Sequence, residues 1–219
     1  MWEWLSRYNR AMLRLCRALL ASVLLGVLPP GAHAQSEPYK LFDTRPLIIQ
    51  GPYLVATSDS STTIVWMTDT PSHSKVRYAR GEGLGAASLT DVAEPQQDGL
   101  VPVGLRHVVH LTRLDPGTTY SYQIVSTRVV KLKAYWPDKG LATESAVYRF
   151  TTLDPRKPTA TFSVMTDTHE DVPRIRALNK MIDWTSTDFL VQTGDAFHWT
   201  ESEDQLFRNC IEPIAAGLT

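Results

Sequence analysis

Short alternating runs of β-branched and aromatic residues fill the chain between Ile48 and Thr152, and they restrict the possible folds more than any other feature. Five runs show the pattern: TTIVWMT (62–68), SKVRYA (74–79), HVVHLTRL (107–114), TYSYQIVS (119–126) and SAVYRFTT (145–152). The pieces between them are rich in turn-forming residues: TDTPSHS, GEGLGAAS, LDPGTT and WPDKG. Strands of this length and punctuation are typical of antiparallel sandwiches. The sequence therefore predicts an N-terminal all-β sandwich.

One of these segments, LDPGTTYSYQI, is more specific than the others. Pro116 presets φ and Gly117 allows a positive φ, so the two residues suit a tight turn. Tyr120 and Tyr122 then point to the same side of the following strand. Together with Trp66 and the closing YRFTT, the segment resembles a fibronectin type III-like domain. In that fold such tyrosines are packing residues, and we assign no chemistry to them.

The segment Met1–Ala34 has the order of a secretory signal peptide. A start with four arginines precedes the apolar run Ala18–Leu28, and small residues end at Ala34. The alternative is a membrane anchor, but the run Ala18–Leu28 is well short of the roughly 20 residues that span a bilayer. We expect cleavage after Ala34, a secreted or periplasmic protein, and no membrane association after cleavage.

Charge and cysteine content narrow the possible partners and cross-links. Removing the segment Met1–Ala34 takes away four arginines and one glutamate, which lowers the formal charge from −1 to −4. A mildly acidic protein has no electrostatic basis for binding nucleic acid or an anionic membrane surface. Cys210 is then the one remaining cysteine, so an internal disulfide is excluded.

The pattern changes from β to α/β after Asp154. LDPRKPTA is typical of a linker, and TFSVMT is a short apolar run typical of a fully buried strand. Residues 172–184 predict a helix with Asp171 as N-cap, Pro173 in its first turn, and an apolar face of Ile175, Leu178 and Ile182. TDFLVQT (187–193) predicts a second buried strand.

A strand, a helix and a strand within about 33 residues predict a βαβ unit with parallel neighbouring strands. Thr200 and Glu203 then form a capping-box pattern that opens another helix. The predicted organisation is a signal peptide (1–34), a β-sandwich (35–153) and the start of an α/β domain (154–219). About 60 residues are too few for a complete doubly wound domain, so we expect this domain to be incomplete.

Ligand-type side chains follow both predicted α/β strands. Asp167 and His169 follow the first, and Gly194 and Asp195 follow the second. Parallel neighbours bring their carboxyl ends to one edge, where ligands bind in open sheets. A mixed oxygen and nitrogen set suits Zn, Mn or Fe rather than Ca. In the alternative interpretation, Asp167 is a helix cap, His169 a polar loop residue and Asp195 a turn residue.

The segments FSVMTDTHEDVPRI and DFLVQTGDAFHW resemble the D-x-H and G-D blocks of the calcineurin-like metallophosphoesterases. With a fibronectin-like domain in front, the arrangement is similar to purple acid phosphatases. The resemblance implies hydrolysis of a phosphate ester at two metal ions, with Fe, Zn or Mn as the candidates. It also implies that Asp167 and His169 hold the first metal and that Asp195 bridges the two.

The sequence departs from the family pattern in two respects. His198 stands where purple acid phosphatases have an iron-binding tyrosine; it is either a substitute ligand, a neighbour of the ligands or substrate, or an exposed loop residue. The family's G-N-H-[DE] block and two later histidine blocks have no counterpart after Asp195. No catalytic residue is therefore assigned, and we expect a truncated form that binds metal poorly and hydrolyses little. The rival hypothesis is an exported, non-enzymatic β-sandwich binding module with a degenerate α/β remnant.

Overall fold

The computed structural model describes residues 40–85, 89–133 and 137–215, so the predicted signal peptide lies outside the described residues. Eight strands of this part of the chain form one hydrogen-bonded network that folds into a sandwich. They are β1 (Leu41–Phe42), β2 (Ile48–Val55), β3 (Ser61–Arg80), β4 (Thr90–Ala93), β5 (Gly104–Thr112), β6 (Thr119–Lys131), β7 (Asp138–Glu144) and β8 (Tyr148–Thr151). The predicted fold class of this region is confirmed.

The long strand β3 belongs to both layers of the sandwich. Its first half pairs with β2 and β5, and its second half pairs with β4 and β6. The sequence predicts a turn at 68–74 between two strands, and that prediction is wrong. The hydroxyls of Thr68 and Ser72 both donate to the carbonyl of Thr70, at 2.9 and 3.0 Å. These local bonds accompany a register shift between Met67 and Ser72, so the strand passes from one layer to the other without reversing.

The predicted turn WPDKG is also partly wrong, because β7 begins within it at Asp138. The Asp138 carboxylate accepts hydrogen bonds from Lys133 Nζ, at 2.8 Å, and from the backbone N–H of Lys40, at 3.3 Å. The Lys133 bond holds the pKa of Asp138 below its ordinary value. Asp138 is thus a buried strand residue and not part of a turn.

The main core lies between the layers of the sandwich. Its buried members are Ile64, Trp66, Val76, Val109, Leu111, Leu114, Tyr120, Tyr122, Ile124 and Phe150. Tyr120 and Tyr122 thus pack as expected, and Gly117 before them has the predicted positive φ of 57°. Trp66 donates its indole N–H to Ser126 Oγ at 2.9 Å, which satisfies its one polar atom in the core.

A second, two-stranded sheet follows the sandwich in the chain. β9 (Phe162–Thr166) and β10 (Phe189–Thr193) are parallel neighbours joined through α1 (Val172–Asn179). This is the predicted βαβ unit. Asp171 caps the helix by accepting the N–H of Arg174 at 3.0 Å.

Helix α1 ends at Asn179 instead of the predicted Trp184. The Asn179 side chain is buried and donates to the carbonyls of Pro213 and Ile214. Further along, the Asp183 carboxylate accepts the hydroxyls of Thr185 and Ser186. Aspartate and hydroxyl side chains compete in this way with helical hydrogen bonding.

Both strands of this sheet were predicted to be fully buried, and that is wrong. Phe162 and Val164 are each 55% exposed, and the ring of Phe189 stacks on that of Phe162 at 5.3 Å. Met165, on the other face, is 5% exposed. Leu178 is likewise exposed, although its spacing predicted a place on the buried face of the helix.

The described chain ends in three short helical segments: α2 (Glu203–Leu206), a π-helical turn (Phe207–Ile211) and α3 (Glu212–Ala215). Ser202, and not Thr200, caps α2 by accepting the N–H of Gln205 at 3.1 Å. Cys210 is a buried free thiol. None of the described helices has the length and apolarity needed to span a membrane.

Candidate metal centre at the ends of two parallel strands

Two loops leave the same edge of the small sheet and carry the predicted ligands. Thr166 and Thr193, the last residues of β9 and β10, are paired in register. Asp167 is the first residue of the loop after β9, and Gly194 is the first residue of the loop after β10, so the two loops start side by side. The topology therefore produces the juxtaposition that the sequence predicted.

Backbone hydrogen bonds connect the two loops directly. The N–H of His169 donates to the carbonyl of Asp195 at 3.0 Å, and the N–H of Glu170 donates to that of Ala196 at 2.8 Å. These two bonds continue the contact between the strands beyond their ends. The main chains of the ligand-bearing residues are thereby held in a defined relative position.

The backbone at this edge is strained. Asp167, His169 and Glu170 have positive φ angles of 57°, 45° and 53°. For residues other than glycine, this conformation costs roughly 1–2 kcal/mol each. Such strain persists where surrounding contacts enforce it, and it concentrates at functional sites.

Gly194 allows the second loop to pass close to the first. Its φ is +51°, and a Cβ at this position would lie 3.0 Å from Thr166 Oγ1. Both the conformation and the space favour glycine immediately before Asp195.

The structure brings together three of the four predicted site residues. One potential ligand atom each from Asp167, His169 and Asp195 lies within 4.8 Å of the others. Donor bonds to Zn²⁺ are about 2.0–2.2 Å long, so two donors on one ion lie at most about 4.4 Å apart. Around a tetrahedral ion such donors lie about 3.3–3.6 Å apart, so the group would have to contract, by at most about 1.5 Å, for all three to contact one ion. The two aspartates are exposed and His169 is partly buried.

The chemistry of the donor set fits a transition-metal ion. His169 Nε2 lies 2.7 Å from Asp167 Oδ1 and so faces the carboxylates. Its Nδ1 is buried and has no hydrogen-bond partner in the described chain. Two carboxylates and one imidazole suit Zn, Mn or Fe. The residues present therefore fit a metal ion, although metal binding itself stays a prediction.

His198 stands beside this group but is not part of it. Its ring stacks on that of His169, with the centroids 4.0 Å apart and the planes 14° apart. His198 is exposed. Of the roles that the sequence left open, the geometry favours a neighbour that packs on a ligand.

Four residues near the centre were missed by sequence reasoning. Thr168, which stands between the candidate ligands Asp167 and His169 in the sequence, is fully buried, and Gln192 donates to its hydroxyl at 3.3 Å. Glu170 accepts a hydrogen bond from Gln205 at 2.7 Å. No local spacing connects positions 170 and 205, so only the folded chain reveals this pair.

Comparison with known families identifies the sandwich. Residues 49–152 match the family model "Purple acid Phosphatase, N-terminal domain". This confirms the part of the predicted resemblance that concerns the sandwich. The calcineurin-like part of the resemblance, at residues 154–219, stays a prediction.

A solved purple acid phosphatase structure has a similar fold. Purple acid phosphatase from yellow lupin seeds is 17% identical over 78% of this chain, with a TM-score of 0.50. The chain spans 33% of that enzyme's length. The FN5 domain of Drosophila Lar is 16% identical, with a TM-score of 0.31, and the match covers 51% of this chain and 98% of that domain.

The third fibronectin III domain of a human protein is 12% identical, with a TM-score of 0.33, and the match covers 57% of this chain and 93% of that domain. The comparison with curated proteins finds no match. The purple acid phosphatase-like N-terminal domain suggests a phosphatase family.

Proposed function

We propose that the protein is an exported, metal-dependent phosphoesterase. The observation that carries this proposal is the cluster of Asp167, His169 and Asp195 donor atoms within 4.8 Å. It lies at the carboxyl ends of two parallel strands, the place where open sheets bind ligands. The purple acid phosphatase-like domain at residues 49–152 supports the same class of chemistry.

The proposed centre contains two metal ions, with Fe, Zn or Mn as candidates. Asp167 and His169 would hold the first ion, and Asp195 would bridge the two ions. A pair of ions supplies an acidified bridging water and stabilises the charge of the phosphoryl group. The protein's part is to set the spacing of these ligands through the paired strand ends and the strained loops.

Exposure of the two carboxylates is consistent with access for a phosphate-ester substrate. An exposed site also allows water to compete for the ion, because little of the surroundings excludes solvent. We therefore expect weak metal affinity in this chain and low turnover.

Export is proposed from the segment Met1–Ala34, whose sequence has the order of a signal peptide. The mature protein would be secreted or periplasmic, with no attachment to the membrane. Nucleic acid is not an expected partner because the mature chain carries a formal charge of −4.

The test is metal binding followed by hydrolysis in the full chain. Isothermal titration with Mn²⁺ and Zn²⁺ measures binding, and aryl phosphate monoesters and diesters measure turnover. Asp195→Asn should abolish most metal binding and any metal-dependent hydrolysis, since an amide oxygen is a much weaker ligand. Asp171→Asn is the matched control: it removes a nearby charge but retains a good helix cap, so binding should persist.

Equal binding by wild type and Asp195→Asn would refute the ligand assignment. A wild-type chain that binds neither ion at millimolar concentration would instead favour the non-enzymatic sandwich module.

A further inference from the structure

Gln205 connects both loops of the candidate metal centre through its side-chain amide. Its Nε2 donates to Glu170 Oε2 at 2.7 Å and to the carbonyl of Trp199 at 3.1 Å. Its Oε1 accepts the N–H of Glu201 at 2.8 Å. Both amide hydrogens and the amide oxygen are thus engaged, with partners on either side of the site.

These partners adjoin His169, a proposed ligand, and His198, the residue that stacks on it. Glu170 follows His169 and itself donates its N–H to the carbonyl of Ala196. Trp199 follows His198, whose ring stacks on that of His169. Gln205 therefore bonds to the first loop one residue after His169 and to the second loop one residue after His198.

The first loop needs such support because its backbone is strained. Glu170 has a φ of 53°, and so the acceptor of the Gln205 bond belongs to a residue in the left-handed region. Strained conformations persist only when surrounding contacts over-determine them. A charge-assisted bond to the Glu170 carboxylate is stronger than a neutral one and can hold this conformation.

Helix α2, which carries Gln205, is itself fixed to the sandwich. Glu203 forms an ion pair with Arg106 of β5. Phe207, just after the helix, is 4% exposed and stacks on Tyr53 of β2, with the ring centroids 5.8 Å apart. Gln205 thus projects from an element with anchors on both sides.

We propose that Gln205 is a positioning residue: it clamps the two ligand-bearing loops against a helix anchored on the sandwich, and so sets the geometry of the metal centre. It is not one of the three donor residues. Its effect on the metal rests on the function proposed above, whereas the clamping of the loops does not.

Amide hydrogen exchange in the metal-free full chain tests the clamp directly. The reporters are the N–H groups of His169 and Glu170, which bond across to the second loop. Gln205→Ala and Gln205→Glu should each speed their exchange by about tenfold, the effect of losing one charge-assisted bond. Gln123→Ala is the matched control, since it removes a glutamine bond to the carbonyl of Ser145 within the sandwich and should leave both reporters unchanged.

Exchanging the two side chains, so that position 205 is Glu and position 170 is Gln, distinguishes a specific hydrogen bond from a general loss of packing. Gln205→Glu places two carboxylates against each other, which is unfavourable. Adding Glu170→Gln lets the amide at position 170 donate to the carboxylate at position 205, although the bond to the Trp199 carbonyl stays lost. We expect the double variant to recover exchange to within about threefold of wild type.

Co²⁺ binding, followed by visible absorption, measures the consequence for the metal. Gln205→Ala should weaken Co²⁺ binding by about tenfold, and the double variant should recover most of that loss. The proposal is overturned if reporter exchange is unchanged in both single variants, or if the double variant exchanges as fast as Gln205→Glu. A wild type that binds no Co²⁺ counts against the proposed function alone, because the exchange results still decide the clamp.

Discussion

The imidazole rings of His169 and His198 stack with a centroid separation of 4.0 Å and an angle of 14° between their planes. His169 belongs to the three-residue donor group, and His198 does not. The contact joins the loop after β9 to the loop after β10 through side chains, in addition to the two backbone bonds. It also restricts the rotation of the His169 ring and hence the direction of its Nε2.

Substitution of His198 should separate packing from metal ligation. We expect His198→Phe to bind Mn²⁺ or Zn²⁺ within about twofold of wild type, because a stacked ring is retained. His198→Ala should bind about fivefold more weakly, as an aromatic pair contributes roughly 0.5–1.5 kcal/mol. Titration calorimetry measures both. Equal losses in the two variants would show that the imidazole nitrogen, and not the stacked ring, is what matters.

Gly194→Ala should disturb the candidate metal centre through the backbone. The new Cβ would face Thr166 Oγ1 at 3.0 Å in a left-handed conformation, at a cost of about 1–2 kcal/mol. Relief of that strain would displace Asp195, so we expect metal affinity to fall about tenfold in titration calorimetry.

Gly83→Ala provides the matched control for that variant. Gly83 has a φ of +89°, and no atom of the described residues lies within 4 Å of a Cβ built there, so this change should reduce stability by a similar backbone cost and leave metal binding intact. Loss of affinity in both variants would indicate a global effect on folding instead.

The parallel pairing of β9 and β10 was predictable because it depends on local signals. Two apolar runs separated by one helical length allow little besides a βαβ unit. The convergence of Asp167 and Asp195 follows from that topology alone.

The burial of the same strands was not predictable, because it depends on what covers each face. Phe162 and Val164 alternate with Ser163 and Met165, yet an apolar run gives no information about which face is packed. Phe189 pairs with Phe162 on the exposed face. Sequence periodicity reports the character of side chains and not the presence of a partner.

Contacts distant in sequence were beyond the reach of local patterns for the same reason. The bond between Glu170 and Gln205 spans 35 positions. β3 is one strand where two were predicted. Two hydroxyl groups donate to the Thr70 carbonyl at a register shift, in a segment whose composition is typical of a turn. Both features depend on geometry that arises only in the folded chain.

Phe207 should contribute strongly to stability through its contact with Tyr53. Both side chains are buried, and Met67 belongs to the same apolar cluster. Phe207→Ala should lower the free energy of unfolding by about 3 kcal/mol, while Phe207→Leu should cost about 1 kcal/mol. Urea denaturation followed by circular dichroism measures the loss. If the alanine variant loses no more than an ordinary surface substitution does, about 0.5 kcal/mol, the contact is not maintained in solution.

A double-mutant cycle isolates the stacked pair itself. Combining Tyr53→Leu with Phe207→Leu should reveal a coupling energy of about 1 kcal/mol. Tyr53→Phe is the control because it keeps the ring and removes the hydroxyl bond to Gln50 Oε1. Purely additive effects of the two leucine variants would argue against direct stacking.

His73 should make the sandwich less stable in mild acid. Burial, followed by the positive charge of Lys139, lowers the pKa of His73 from 6.5 to about 4, and Glu94 opposes this only in part. Above pH 6.5 the ring is neutral in both the folded and the unfolded chain, so in that range His73 makes no pH-dependent contribution to stability. Between pH 6.5 and 4 the unfolded chain binds the proton more readily, so stability falls as the pH decreases.

His73→Gln cannot titrate, and it should lose about 1 kcal/mol less stability than wild type between pH 7 and 5 once solvent screening of this half-buried ring is allowed for. Urea denaturation across that range tests the difference, and parallel pH profiles for the two proteins would contradict it.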